Sequence, residues 1–382
     1  MDNLSAKKLD DLANVLARKN PSEHNAVIGF DGFVDEILHV VAKRKSVDEY
    51  ERMSCISQYG ERIISAAGLS TNIEMVKVNE KLGGNGPILS NALSFYGVNL
   101  TCIGSLGYPN VHEVFKPMMQ KCKLLSISNP GLTDAIEFDD GKIIVGKHQS
   151  LKEVNWENIK KTVGKEKLVS LIKESKLIGF ENWTMLPHMS GIWKAILDEV
   201  MPHIGDESKN KYVFFDLCDP EKRTNEDILE AIELIKRFNG YLNVILGLNF
   251  REAVLIAKVL GFDGYEPDYT KDVDLEKLVK ILAQSLGLYS VVVHPTSEAA
   301  TVIRGEYYHV NGPYTSKPKL TTGAGDNFNA GFCLGQVLDL DPEQCVTLGV
   351  ATSGFYVREA KSPNLEEVID FMKKWKNGDL EE

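Results

Sequence analysis

Thr321-Thr322-Gly323-Ala324-Gly325-Asp326-Asn327-Phe328-Asn329-Ala330-Gly331-Phe332 is the stretch from which the fold is read. Glycines at 323 and 325 admit φ > 0 and let another group approach the backbone closely. Beyond them Ala330, Cys333, Leu334, Val337 and Leu338 recur at helical spacing. A glycine turn therefore opens directly into a buried helix. The start of such a helix presents N–H groups without intrahelical acceptors and the positive end of the macrodipole, a combination suited to phosphate. Asp326 stands at its mouth. A carboxylate there either caps the helix or takes the proton from a hydroxyl that attacks a phosphoryl group.

Two rival phosphate motifs fit less well. The dinucleotide pattern G-x-G-x-x-G fails at its third glycine, where Phe328 stands, and residues 316–320 before it do not form a clean strand pattern. Gly141-Lys142-Ile143-Ile144-Val145-Gly146-Lys147-His148 approaches a phosphate-binding P-loop. His148 replaces its Ser/Thr, and the β-branched middle reads as a strand.

The chain has 382 residues, 43% of them apolar, enough for a large α/β core. A formal net charge of −11 argues against nucleic acid or an anionic membrane as the main partner. Cysteines 55, 102, 122, 218, 333 and 345 are scattered without a C-x-x-C pair, as expected of reduced thiols in the cytoplasm. No signal-peptide pattern opens the sequence, and no apolar run reaches spanning length.

From residue 167 the pattern alternates strand and helix, with strands expected at 176–180, 211–216, 241–247 and 289–294. Such βαβ winding gives a mostly parallel sheet with helices on both faces. Upstream, the sequence predicts a helix over 3–19, a first core strand over 25–30, a helix over 45–67, a strand over 72–82 and another over 98–105. Strands over 132–138 and 142–147 join through Asp139-Asp140-Gly141 as a hairpin. With segments near 34–42 and 72–82 they would form a small sheet that covers the crevice as a lid. The whole of 1–382 is read as one α/β domain, looser near 204–210, 263–272 and at the acidic tail.

In an open α/β sheet the ligand crevice lies beyond the carboxyl ends of the strands. The first core strand ends in Asp31-Gly32-Phe33-Val34-Asp35, so Asp35 and Asp31 are candidates to face that crevice. Turn chemistry is the plain alternative for both. Gly83-Gly84-Asn85-Gly86-Pro87 precedes a helix, and Asn85 supplies a donor and an acceptor. After the strand 241–247, Asn249 and Glu252 have the spacing of a capping box. A carboxylate and an amide at such a strand-to-helix turn also suit a hard cation that keeps several waters. Phe214 to Asp219 ends another strand at the same edge, and Lys222 and Arg223 after it are candidates for a phosphate clamp, with an exposed helix start as the plainer role.

Thr322-Gly323-Ala324-Gly325-Asp326 closely resembles the C-terminal signature of the ribokinase-type (PfkB-like) carbohydrate kinases, D-T-x-G-A-G-D, with Leu320 in place of the leading Asp. Gly83-Gly84-Asn85 resembles that family's G-G-N-x-x-N, with Ile88 at the second Asn, and Asn249 to Glu252 its N-x-x-E. The resemblance covers most of 26–370. It implies a ribokinase-like doubly wound fold and ATP-dependent phosphorylation of a hydroxyl on a sugar-like substrate. Gly323, Ala324 and Gly325 would form the anion hole and Asp326 the catalytic base. Gly84, Asn85 and Asp35 or Asp31 would hold the sugar. Asn249 would lie near the nucleotide phosphates, and Glu252 with Asn249 would hold Mg2+ through its waters. Many family members use K+ near the leading Asp; with Leu320 here, backbone carbonyls are the donors left for it. A homodimer joined through the lid is a further expectation. The alternatives are a nucleoside kinase or a non-catalytic sugar- or nucleotide-binding protein, the latter suggested by the departures at Ile88 and Leu320, at Pro109, where the family's G-x-x-G-x-D-x-x-G has its acid, and at Cys218, where its Asp-x-Asn has the Asn.

Overall fold

The computed structural model describes residues 3–205, 210–266 and 273–380. Parts of the looser stretches, 206–209, 267–272 and 381–382, lie outside the described residues. In chain order the strands are β1 (Asn25–Phe30), β2 (Phe33–Arg44), β3 (Tyr50–Arg52), β4 (Met75–Gly83), β5 (Asn99–Gly104), β6 (Cys122–Ser126), β7 (Gly131–Phe138), β8 (Gly141–Lys147), β9 (Leu177–Phe180), β10 (Tyr212–Asp216), β11 (Asn243–Leu248), β12 (Ser290–Val293), β13 (Glu298–Ile303) and β14 (Glu306–Asn311). The helices are α1 (Asn3–Leu16), α2 (Ile56–Ile64), α3 (Asn85–Phe95), α4 (Trp156–Thr162), α5 (Lys165–Glu174), α6 (Met189–Glu199), α7 (Asn225–Arg237), α8 (Phe250–Val259), α9 (Leu275–Leu286), α10 (Ala324–Val337), α11 (Pro342–Glu359) and α12 (Leu365–Asn377).

A nine-stranded sheet in the order β14-β13-β12-β11-β10-β9-β1-β5-β6 forms the centre. Strands β6 through β12 of that order pair in parallel; β13 and β14 close the edge as an antiparallel hairpin. Parallel strands covered on both faces should be apolar on both. In β10, Val213 and Phe215 join one core while Tyr212 and Phe214 join the other, the period-two alternation of a strand. The first core takes Trp193 of α6, Ile232 of α7, Ile256 of α8 and Leu282 of α9. The second takes Leu12 of α1, Leu93 of α3, Phe332 of α10, Leu348 of α11 and Met372 of α12. This is the doubly wound α/β fold the sequence predicted.

Helix α10 is buried from Asp326 to Val337, as befits a helix apolar nearly all round. It lies close against α11: a Cβ on Gly331 would stand 2.3 Å from Thr352 Oγ1 and 2.5 Å from the Leu348 carbonyl oxygen. No side chain fits there, and the close crossing fixes the helix whose N-terminus carries Asp326.

A second sheet, ordered β3-β2-β7-β8 with β4 also paired to β2, stands apart from the first. β2 and β7 run parallel, with Asp35 opposite Thr133 and, on β4, opposite Lys81. Its own small core is Val40, Ile136 and Phe138, packed by Met53, Ile56 and Tyr59.

The helix expected over 45–67 is corrected. Only Ile56–Ile64 is helical, and Tyr50–Arg52 forms β3 against β2. The Lys45 and Ser46 N–H groups both donate to the Glu49 carbonyl, so the chain turns back there before a helix can start. The hairpin β13–β14 and the edge strand β6 went unpredicted; β6 is five residues long and edge-exposed, too short for a pattern. The P-loop-like stretch is β8. Among the described residues no helix is long and apolar enough to cross a membrane.

Candidate active site

The carboxyl ends of β1, β9, β10, β11 and β12 open on one edge, and the N-termini of α3 and α10 meet there. Asn85 joins them. Its side-chain amide donates to Asp326 Oδ1 at 2.9 Å, while its backbone N–H donates to Asp31 Oδ2 at 2.9 Å. Two stretches 241 residues apart are thus tied by one hydrogen bond between their most polar members.

At α10 the N-cap is Gly323, with φ of +89° and no side-chain cap. The Ala324 N–H is used within the turn, donating to the Thr321 carbonyl. The next N–H groups, of Gly325 and Asp326, begin the helix and have no acceptor one turn back. The turn is held by the Asn327 amide on the Gly323 carbonyl and by the Tyr356 hydroxyl on the Thr322 carbonyl, at 2.9 and 2.8 Å. Asp326 is buried, and burial pushes its carboxyl up to about 7. Ile88, at the position of the expected second Asn, packs within 3.5 Å of where a Gly323 Cβ would be.

Asp31 and Asp35 border the same glycine turn from opposite sides. Asp31 is fully buried and accepts from the N–H groups of Asn85 and Gly86 and from the Asn182 amide, at 2.9, 2.8 and 3.0 Å. Burial raises its carboxyl to about 6 against those hydrogen bonds. It is the anionic cap of α3. Gly84 has φ of +95°, and a Cβ there would meet Asp31 Oδ2 at 2.8 Å. Asp35 belongs to the second sheet, where its carboxylate lies over Gly83. Burial raises it, opposed by the Thr133 hydroxyl and by Lys142 and Lys81.

Asn249 and Glu252 form a complete capping box on α8. Glu252 Oε2 accepts from the Asn249 N–H at 2.8 Å, and Oε1 accepts from the Asp219 N–H at 2.9 Å. The carboxylate therefore also anchors the end of β10, where Cys218 and Asp219 both take positive φ, 57° and 55°. Consecutive non-glycine residues in that region are strained, and here the surrounding hydrogen bonds hold them. Asp216 accepts from the Cys218 N–H at 2.8 Å and from the Asn329 amide of α10 at 3.1 Å. Burial and the Glu252 charge raise it well above the carboxylate range. Among the described residues no cluster of side chains forms a ready metal cage.

Some residues of the site escape sequence reasoning. Glu181 follows β9, is fully buried, and neither of its oxygens has a hydrogen-bond partner. Burial, with Asp216, Asp326 and Asp31 nearby, holds its carboxyl well above the usual range. Asn182 beside it takes φ of 59° to reach Asp31. The available signal was position alone: both lie just past a core strand at the crevice edge. His294 follows β12 and walls the turn. Its ring packs tilted against Phe328, with centroids 4.7 Å apart, and lies 3.2 Å from where a Gly325 Cβ would stand. Burial lowers it to about 4, so it is a neutral wall of the turn. Arg223 is no phosphate clamp: it donates to the carbonyls of Trp183, Thr184 and Leu186 and stacks over Trp183. Lys222 pairs with Asp219 at 3.1 Å.

The family model for prokaryotic ketohexokinase matches residues 2–375. The chain belongs to the prokaryotic ketohexokinase family. It is accordingly an ATP-dependent carbohydrate kinase. A ketohexokinase of Haloferax volcanii is 28% identical over 347 residues, covering 90% of each chain. Solved structures that share the fold include the following two. The nucleoside kinase of Methanocaldococcus jannaschii, an archaeal member of the ribokinase family, aligns with a TM-score of 0.59 at 17% identity, over 93% of this chain and 100% of its own. The ribokinase of Arabidopsis thaliana, complexed with ribose and ATP, aligns with a TM-score of 0.61 at 14% identity, over 92% and 98%.

Proposed function

We propose that this kinase transfers the γ-phosphoryl group of ATP to a hydroxyl of a ketohexose bound between the second sheet and the turn at Gly83–Gly86. The observation that carries it is the Asn85–Asp326 hydrogen bond, which sets a carboxyl raised to about 7 at the uncapped start of α10. The substrate class rests on the family and on the Haloferax relative.

In this reading Asp326 accepts the proton of the attacking hydroxyl, and its raised affinity for protons suits a base working near neutrality. The N–H groups of Gly325 and Asp326 face the charge that builds on the transferring group. Gly323 and Ala324 shape the turn. Neutral His294 excludes water behind it without adding a competing charge. Asp31, its oxygens already engaged, orders the Gly84–Asn85 turn; Asp35 binds the sugar hydroxyls.

The donor set fits Mg2+ handled through its waters rather than caged by side chains: Glu252, Asp216 and Asp219 are oxygen donors at one crevice edge, and each Glu252 oxygen accepts only one N–H. Bound Mg2+ supplies neutralisation of the phosphate charge. Asn249 holds Glu252 in place from the cap.

The second sheet, with its segments 33–44, 75–83 and 131–147, acts as the lid of a single domain. Its outer residues Val78, Leu132, Ile144 and Val145 are exposed, and a homodimer would cover them there. The scattered reduced cysteines support a cytoplasmic setting for the reaction.

A panel of D-fructose, other hexoses, ribose and adenosine, each with ATP and Mg2+, tests the reading. Turnover of ketohexoses above the others is expected; preference for adenosine would replace it with a nucleoside kinase, and sugar binding without turnover would leave a binding protein. Asp35→Ala should weaken ketohexose binding by about tenfold or more, the worth of a lost charge-assisted hydrogen bond. Nucleotide affinity should hold. Calorimetry with each ligand separately checks both; weakened nucleotide binding with intact sugar binding would refute the placement.

A further inference from the structure

The segment leading into the Gly323–Asp326 turn is gripped by the last turn of α11. The N–H groups of Lys319 and Leu320 donate to the Val357 carbonyl, at 2.7 and 3.4 Å. The Tyr356 hydroxyl holds the Thr322 carbonyl. Arg358 reaches furthest. Its Nη1 donates to the carbonyls of Pro313 and Gly354 at 2.8 and 3.1 Å, and its Nη2 donates to the Tyr314 carbonyl at 2.9 Å. Its guanidinium lies 5.9 Å from the centre of the Phe371 ring. Lys319 Nζ stands 3.7 Å from the Glu359 carboxylate.

This junction does not fit a potassium ion. Such an ion needs several oxygens in place of its hydration shell. Leu320 offers no side-chain oxygen. The carbonyls of Pro313, Tyr314 and Gly354 converge on a cation that is already part of the chain. Those of Thr322 and Val357 accept from a hydroxyl and from N–H groups. A guanidinium is permanently charged, offers its donors in a fixed fork, and sits favourably at a helix C-terminus.

We infer that Arg358 is a built-in cation: it gathers the carbonyls that lead into the phosphate turn and makes phosphoryl transfer independent of potassium. Arg358 is a positioning residue, acting through the backbone of 313–322. The inference rests on reading Gly323–Asp326 as the phosphate site.

The test compares potassium chloride with choline chloride at equal ionic strength. Nucleotide affinity is read by calorimetry without any sugar, and turnover is read separately. Both should agree between the two salts within about twofold, since screening is common to both. A potassium-specific gain of about tenfold or more, the worth of a charge-assisted contact, would overturn the inference. Because the first measurement needs no acceptor, it decides the question even if no ketohexose is turned over.

Arg358→Met keeps the stem and removes the charge. It should weaken nucleotide binding and raise the ATP KM by about tenfold while leaving sugar affinity intact. Added guanidinium chloride at low concentration should restore part of the loss, and Arg358→Lys should fall between. Unchanged nucleotide affinity, or equal loss of both affinities with a lower Tm, would reduce Arg358 to scaffolding and overturn the positioning role. Should the methionine variant fail to fold, the wild-type salt comparison still separates potassium dependence from independence.

Discussion

Asp326→Asn should keep its fold and lose phosphoryl transfer by about 10²–10⁴-fold, the usual worth of a general base. The fold survives because asparagine retains the oxygen that accepts from Asn85. Turnover near that of the wild type, with an unchanged Tm as control, would remove Asp326 from the role of base. The wild-type pH profile gives a second reading. A base must be ionised, so kcat/KM should fall on the acid side with a midpoint near 7, the value to which burial raises Asp326. A bound polyphosphate beside it favours the protonated form further, so the limb in kcat should lie at or above that in kcat/KM. Stability has the opposite sign. The folded protein binds this proton more tightly than the unfolded chain, so its contribution is complete below 3.8 and is lost as pH rises through about 7. Relative to the Asp326→Asn variant, the wild type should therefore lose stability across that window.

Asp31→Ala should do the reverse, damaging the fold first. Three donors, the N–H groups of Asn85 and Gly86 and the Asn182 amide, would lose a buried carboxylate at once. Orphaned buried donors cost about 1–3 kcal/mol each, so a loss of about 3–5 kcal/mol is expected after partial relaxation. Because Asn85 also holds Asp326, turnover should fall with it. Chemical denaturation at neutral pH measures the first effect. A variant of wild-type stability that has lost only sugar affinity would show that Asp31, and not Asp35, is the acceptor contact.

The parts legible in sequence were those governed by local rules. Two-faced apolar strands such as Tyr212–Asp216 and the glycine turn before α10 depend only on neighbours in the chain. So does the Asn249–Glu252 capping box. What escaped depends on long-range placement. Nothing near Glu181 announces that it will be buried without a partner among Asp31, Asp216 and Asp326. Arg223 has the charge of a phosphate ligand, yet folding delivers three carbonyls to it. The helix predicted over 45–67 failed because tertiary pairing of Tyr50–Arg52 with β2 overrode local helical spacing. Asp31 and Asp35, four residues apart, could not be separated in sequence, because their difference is that one joins the core and the other the second sheet.

Cys55 caps α2, whose first N–H is held by Asp140 in the β7–β8 hairpin, so this thiol rides with the second sheet. It is half-exposed, as is Cys218 at the crevice, whereas Cys102, Cys122, Cys333 and Cys345 are buried, and desolvation raises the thiols of all five of these others above their ordinary range. At Cys218 the nearby carboxylates oppose ionisation as well. A maleimide dye should therefore couple first at Cys55, a place that travels if the sheet swings over the crevice. The wild-type enzyme thus carries its own attachment point for an optical reporter: emission that changes with sugar and not with buffer would follow the closing motion in real time, with no cysteine engineered in or out.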